Sequence, residues 1–167
     1  MKLYFQDLTI GRIGIAEEGG SITNLYFETD AIPQDAEVCE TEVIREAFRQ
    51  LEAYFAGDLK SFTVPVAPRG TAFMREVWEI LRGIPYGETA SYKEIAVAAG
   101  NPKAFRAVGL ANNRNPVPLF IPCHRIIGSD GKMVGYRGGL DIKRKLLELE
   151  KKGVVVKGGH RWPAQSS

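Results

Sequence analysis

Two hydrophobic periodicities divide this chain. Over residues 2–5, 9–17 and 22–28 the apolar positions are β-branched and aromatic and tend to alternate, and Gly19-Gly20-Ser21 interrupts them. That pattern predicts strands and at least one hairpin. After Pro33 the period lengthens: Val43, Ile44, Ala47, Phe48, Leu51, Tyr54 and Phe55 recur at helical spacing, predicting an amphipathic helix over about residues 40–55 with Gly57 just past its end. Residues 62–66 read as a short strand, and Pro65-Val66-Ala67-Pro68-Arg69-Gly70 as a linker.

Beyond the linker the helical period returns. Phe73, Val77, Ile80 and Leu81 face inward on a helix over 72–82 that Gly83 stops, and Ile84-Pro85-Tyr86-Gly87 forms a turn. Ser91 caps a helix reaching Ala99, with Glu94 at the capping-box position and Ile95, Ala96 and Ala99 on one side. Gly100 ends that helix, Asn101 caps the next and Pro102 takes its first position, where a missing N–H costs nothing. Residues 91 to about 112 thus read as a helix-turn-helix. Helical hairpins are common packing devices, but here Lys103 and Arg106 fall on the second helix, and Ala104, Ala107, Gly109 and Ala111 give it a thin wall able to approach a groove. Gly131 and Gly135-Tyr136-Arg137-Gly138-Gly139 make a Gly-rich loop too irregular for a phosphate-binding fingerprint.

A last helix is expected over about 141–152. Its inward stripe is Ile142, Leu146, Leu149 and Glu150, while Arg144, Lys145, Glu148, Lys151 and Lys152 fall on other faces. A carboxylate on an apolar face needs a partner, and His124, Lys143 or an arginine can serve. The tail carries the only other histidine, His160, to which no role is assigned; its last several residues are expected to be mobile.

Composition narrows the class. With 167 residues and 44% hydrophobic content the chain can bury a core as one domain or two small ones. No apolar run approaches the roughly 20 residues that span a bilayer, and the first seven residues hold no signal-peptide core, so a cytoplasmic protein is expected. Cys39 and Cys123 are then expected as free thiols, and two Cys with two His give no zinc-site spacing. The net charge of +2 hides an asymmetry: residues 1–99 carry 9 Lys+Arg against 16 Asp+Glu, residues 100–167 carry 13 against 4. A basic second half favours a polyanion partner.

The chemistry points to Asn115-Pro116-Val117-Pro118-Leu119-Phe120-Ile121-Pro122-Cys123-His124-Arg125-Ile126-Ile127. Three prolines fix φ and withhold donors, so 115–122 forms a rigid, largely apolar loop rather than a helix interior or central strand. Residues 121–125 read as a tight turn after it. A free thiol is only a few per cent thiolate at neutral pH, so a reacting Cys123 needs a base, and His124 is the first candidate. Taken alone, a Cys-His pair is better explained by a small buried hydrophobe beside a satisfied core histidine.

The company of the pair decides. Asn115-Pro116-Val117-Pro118 followed by Ile121-Pro122-Cys123-His124-Arg125-Ile126-Ile127 resembles, without gap or insertion, the active-site segment of the O6-alkylguanine-DNA alkyltransferases. Ile84-Pro85-Tyr86-Gly87, Ser91-Tyr92 and Asn101-Pro102-Lys103-Ala104-Phe105-Arg106-Ala107-Val108-Gly109 resemble that family's helix-turn-helix. The likeness covers 71–152, more weakly the N-terminal part. It implies an α+β protein: a small N-terminal domain with antiparallel strands (1–66), a linker (67–70), and a mainly helical, winged-helix-like catalytic and DNA-binding domain (71–167).

The resemblance further implies repair by direct reversal: one irreversible transfer of an alkyl group from O6-alkylguanine, and by extension O4-alkylthymine, in double-stranded DNA to Cys123. It implies that His124 takes the thiol proton through a water, that Glu150 orients the imidazole, and that Asn115 braces the turn. Tyr92, Ile126, Tyr136 and Arg137 would form the base pocket. Arg106 would fill the gap left by the extruded nucleotide from the minor groove, with Lys103, Ala107 and Arg114 on the DNA. The protein would act as a monomer with no metal or organic cofactor. Two positions depart from the family pattern: Arg137 stands where many members have a small residue, and Met74 where glutamine is frequent. A Cys-His-Glu hydrolase and a non-catalytic binder of alkylated DNA are the rival classes; the first has no use for the basic helix, and the second lacks the cysteine.

Overall fold

The computed structural model describes residues 1–154. The chain divides into two compact units, Met1–Arg69 and one that begins at Gly70.

In the first unit, strands β1 (Lys2–Leu8), β2 (Gly11–Glu18), β3 (Ser21–Tyr26) and β4 (Glu37–Val38) form one sheet in the order β3-β2-β1-β4. β1, β2 and β3 are an antiparallel meander, and β4 runs parallel to β1. The second strand begins two residues later than the alternation suggests, because Thr9 and Ile10 form the β1–β2 turn. The β2–β3 turn is Gly19-Gly20, at φ +60° and +86°. Positive φ at both central residues gives the turn whose twist matches the flanking strands, and glycine adopts it without steric cost.

Helix α1 (Glu42–Phe55) lays Ile44, Ala47, Phe48, Leu51 and Tyr54 on the sheet. It starts after Thr41, whose hydroxyl accepts from the Ile44 N–H at 3.3 Å. Residues 62–66 do not form the expected strand. Ile22 N–H donates to the Pro65 carbonyl and Ala67 N–H to the Ile22 carbonyl, each at 2.8 Å, giving only one isolated bridge. Pro65 has no N–H with which to extend a ladder. The stretch is instead pinned by buried Gln50, which donates to Thr63 Oγ1 (2.8 Å) and accepts from Thr63 N–H (2.9 Å).

In the second unit, α2 (Ala72–Arg82), α3 (Tyr92–Ala98) and α4 (Phe105–Asn113) pack against one another. Trp78, not among the expected inward residues, is the largest fully buried side chain among the described residues, and its indole N–H donates to the Ala111 carbonyl at 2.8 Å. Phe73 and Ile80, two of the expected ones, are only half-buried. The capping box of α3 is complete: Glu94 N–H donates to Ser91 Oγ (3.2 Å) and Ser91 N–H to Glu94 Oε1 (3.0 Å).

The second helix begins later than Asn101-Pro102 implies. Asn101 caps a turn: its Oδ1 accepts from Lys103 N–H at 3.1 Å and its carbonyl from Ala104 N–H at 2.9 Å. Lys103 therefore lies in that turn, not on α4, and Ala104 is the helix N-cap.

A short parallel pair, β5 (Ala90–Ser91) and β6 (Ile126–Ile127), ties the entry of α3 to the segment after Cys123. Helix α5 (Leu140–Gly153) packs on the turn that carries the cysteine. The architecture is α+β, a small sheet unit followed by a helical one. Among the described residues no helix is long and apolar enough to cross a membrane. The expectations for the tail and His160 fall outside the described residues.

Candidate active site

The loop leading to Cys123 is held by Asn115. This buried side chain donates from Nδ2 to the Ile121 carbonyl and accepts at Oδ1 from Val117 N–H, both at 2.9 Å. Ile121 N–H closes onto the Val117 carbonyl at 2.9 Å. Within this closed loop Leu119 sits at φ +76°, a left-handed conformation costing roughly 1–2 kcal/mol for a residue with a Cβ. Its side chain is buried, so packing holds it there. The loop ends in a 3₁₀ turn over Cys123–Arg125, where a tight turn was expected.

The turn sends His124 and Arg125 to the same carboxylate. His124 Nε2 lies 2.6 Å from Glu150 Oε2, Arg125 Nε donates to Oε1 at 2.8 Å, and Arg125 Nη2 donates to Oε2 at 3.1 Å. Gly87 N–H adds a donor to Oε1 at 3.2 Å. Gly87 has φ +83°, and a Cβ there would collide with Val154, so only glycine brings this N–H to the site. Both candidate classes of Glu150 partner, histidine and arginine, are therefore present. Lys143 is not a partner: its buried ammonium donates to the carbonyls of Ile126 and Val134.

Burial alone would raise the pKa of Glu150, but His124 and the Arg125 guanidinium outweigh it and hold the carboxyl well below its usual range. Glu150 is thus an anion that only accepts, which fixes the proton of neutral His124 on Nε2. Burial pushes the His124 pKa down, against the opposing pull of Glu150, so the ring stays neutral at physiological pH. Its other nitrogen, Nδ1, is buried and has no protein hydrogen-bond partner.

Burial raises the Cys123 thiol above its ordinary value; a hydrogen bond with Asn115 and the charges of Arg137 and Lys143 pull the other way without overcoming it. At neutral pH it is a thiol that needs a base. Beside it is a cavity of about 10 Å³, walled by Asn112, Asn115, Pro118, Cys123, Tyr136 and Arg137 among others. Tyr92 does not wall that cavity, although the burial that raises its pKa is reinforced by Cys123 nearby. Ile126 does not wall it either; its carbonyl is taken by Lys143. Arg106 and Ala107 are exposed on α4, Lys103 just before it, and Arg114 is its C-cap.

Two family descriptions match this chain: "6-O-methylguanine DNA methyltransferase, DNA binding domain" over residues 72–152, and "6-O-methylguanine DNA methyltransferase, ribonuclease-like domain" over residues 2–68. The chain belongs to the 6-O-methylguanine DNA methyltransferase family. A methylated-DNA--protein-cysteine methyltransferase of Methanosarcina acetivorans is 63% identical over 144 residues, covering 84% of this chain and 92% of the relative. The constitutive enzyme of that name from Bacillus subtilis is 45% identical, with 85% and 90% covered. Among solved structures, Mycobacterium tuberculosis OGT in complex with DNA superposes with a TM-score of 0.87 at 45% identity, covering 92% of this chain and 94% of that one.

Reading the sequence missed several groups that the family's site brings together here. Arg125 carried no role, although an unspecified arginine was one of the open partners for Glu150. Gly87 had only a turn assignment, and a backbone donor leaves no trace in side-chain pattern. Asn112 was not singled out, yet it is buried and walls the cavity. Phe105 and Leu110 are exposed at 40% and 48% on α4, beside Arg106.

Proposed function

We propose that this protein repairs O6-alkylguanine in double-stranded DNA by moving the alkyl group to Cys123, once per molecule and as a monomer. The observation that carries the reading is the buried chain of groups behind the cysteine: a neutral histidine whose Nε2 proton is committed to an ionised carboxylate, leaving Nδ1 as the base. A water between Cys123 and His124 passes the thiol proton to Nδ1. The thiolate then attacks the alkyl carbon, a C–S bond forms, and the C–O6 bond breaks with its electron pair staying on guanine. Guanine gains one proton, so the net change is the exchange of a thiol hydrogen for an alkyl group. Glu150 stabilises the imidazolium formed on the way, as the acidic member of a triad does.

The target atom lies inside the duplex, so the nucleotide is turned out at a cost of a few kcal/mol, which Arg106 offsets by entering the stack. Tyr92 and Tyr136 line the route and pocket of the base; Lys103 and Arg114 hold phosphate. Asn115 keeps the cysteine loop in one geometry. A thioether does not hydrolyse under mild conditions, so the product is dead protein.

Intact mass measurement after mixing with duplex DNA carrying one O6-methylguanine tests this. The chain should gain one methyl at Cys123, and Cys123→Ala should lose the gain while still binding DNA. Methyl on Cys39, or turnover beyond one equivalent, would overturn the proposal.

A further inference from the structure

Asn112 is a buried polar residue to which the transfer chemistry gives no task. It stands in the last turn of α4, 4% exposed, and walls the cavity together with Cys123. Its backbone is held from both sides: the Trp78 indole donates to the neighbouring Ala111 carbonyl, and the Asn112 carbonyl accepts at 3.4 Å from Asn115 N–H, at the head of the cysteine loop. Yet its side-chain Oδ1 is buried with no protein hydrogen-bond partner. An apolar residue of similar shape would be at least as stable there, because an orphaned buried acceptor keeps its full desolvation cost. Stability does not account for the amide.

Tyr92 opens α3 directly after Ser91, whose capping box and pairing with Ile127 fix the backbone there. Its ring lies along α4, two ring carbons standing 3.7 and 3.9 Å from where a Cβ of Gly109 would be. Gly109 and Asn112 are three residues apart and share a helix face, so the ring and the amide are neighbours. Burial and, after it, Cys123 push the Tyr92 pKa up, while a hydrogen bond with the Asn112 side chain pulls it down; the N–H end of the amide therefore faces the phenol oxygen. A phenol that accepts there keeps its own O–H to give away. Resting on the alkyl-transfer reading, the geometry points to Asn112 as a positioning residue: from the end of α4 it holds the Tyr92 oxygen and leaves the phenol hydrogen free for the base beside Cys123. Guanine keeps an electron pair as C–O6 breaks, so a donor already in place is worth more in the transition state than before it.

A double-mutant cycle separates positioning from a merely structural role. Methyl transfer from a duplex carrying one O6-methylguanine is timed at saturating DNA for the full chain, for Tyr92→Phe, for Asn112→Leu and for the pair. Asn112→Leu removes the amide and keeps a branched side chain. It should melt no lower than the parent and slow transfer roughly two- to tenfold, the worth of one hydrogen bond. Tyr92→Phe should slow transfer at least as much. Adding Asn112→Leu to Tyr92→Phe should slow it no further, because the phenol through which the amide acts is already gone. Asn112→Ala, in the same two backgrounds, gives the same comparison without a larger side chain to pack. Additive slowing in either variant, an unchanged rate on losing the amide, or slowing by Asn112→Leu where Tyr92→Phe causes none overturns the proposal. Absence of methyl transfer by the unaltered protein would instead overturn the reading of function on which it rests.

Discussion

Two groups of charges in the second unit teach different lessons. Around Glu150 every charged group is buried and answered: the carboxylate meets His124, Arg125 and the Gly87 N–H, and Arg125 also donates to the Ile84 carbonyl at 2.6 Å. Around α4 the cations Lys103, Arg106 and Arg114 are exposed. Buried charges stay only if paired, so the first group records its chemistry in its own geometry. Exposed ones cost nothing to hold and record only that their partner lies outside the chain. Changes in the first group should therefore alter stability and chemistry together, whereas changes in the second should alter only what the protein does with DNA.

The sharpest test is Glu150→Gln. It leaves Arg125 buried without its anion, which costs on the order of 3–5 kcal/mol of stability, and it deprives the His124 cation of support, which should slow transfer about a hundredfold or more. DNA binding should be untouched. Acid should act on the same group. The Glu150 pKa is depressed in the folded state, so its contribution is present above the ordinary carboxylate pKa and is lost as pH falls below it. His124 is depressed too; below its ordinary pKa of about 6.5 the unfolded chain binds the proton first, and stability falls in the same direction. Thermal melts between about pH 5 and pH 2 should show the carboxylate's part of this loss in the parent and a shallower one in Glu150→Gln. Parallel pH curves would mean that the carboxylate is not the group being titrated.

A smaller effect, confined to function, is expected from Arg106→Ala. Base extrusion costs a few kcal/mol, so losing the residue that offsets it should slow transfer from duplex DNA roughly ten- to a hundredfold, with no shift in melting temperature. A free O6-alkylguanine base has no stack to leave and should react with the mutant as it does with the parent. An equal slowing on duplex and free base would place Arg106 inside the pocket rather than in the helix stack. For that comparison the alkyl group should be methyl on both substrates.

What could be read from the sequence follows the same division. The Ser91/Glu94 capping box, α2 and the turn at Cys123 were legible because each depends on residues close in the chain. The strand expected at 62–66 was not formed, because Pro65 blocks a ladder that hydropathy alone permits. Asn101-Pro102 has the chemistry of a helix start but caps a turn three residues ahead of one. Lys143 reads as a candidate partner for Glu150, yet its ammonium is received instead by two carbonyls, of Ile126 and Val134, and the residue is fully buried. Trp78 was hidden by four other apolar residues on its helix that already satisfied the expected spacing. For Trp78 and Lys143 the deciding partner lies elsewhere in the chain, whereas at Pro65 and Asn101 it is a local feature that the spacing of apolar residues does not weigh.

The smallest effect should come from Lys103→Ala, and it distinguishes two kinds of exposed cation. Lys103 lies in the Asn101-capped turn before α4, so its side chain is fixed relative to the helix only through that turn. A lysine ammonium is a flexible point charge with no planar fork to match a base edge, which suits it to phosphate. Its loss should weaken duplex binding evenly across sequences and lower the slope of log K against log salt by about one. The transfer rate at saturating DNA should hold, because a phosphate contact made equally before and during the reaction does not change the barrier. A fall in that saturated rate comparable to the one expected for Arg106→Ala would mean that the turn takes part in extruding the base. The cations around α4 would then act as one device rather than as a wedge with an electrostatic anchor beside it.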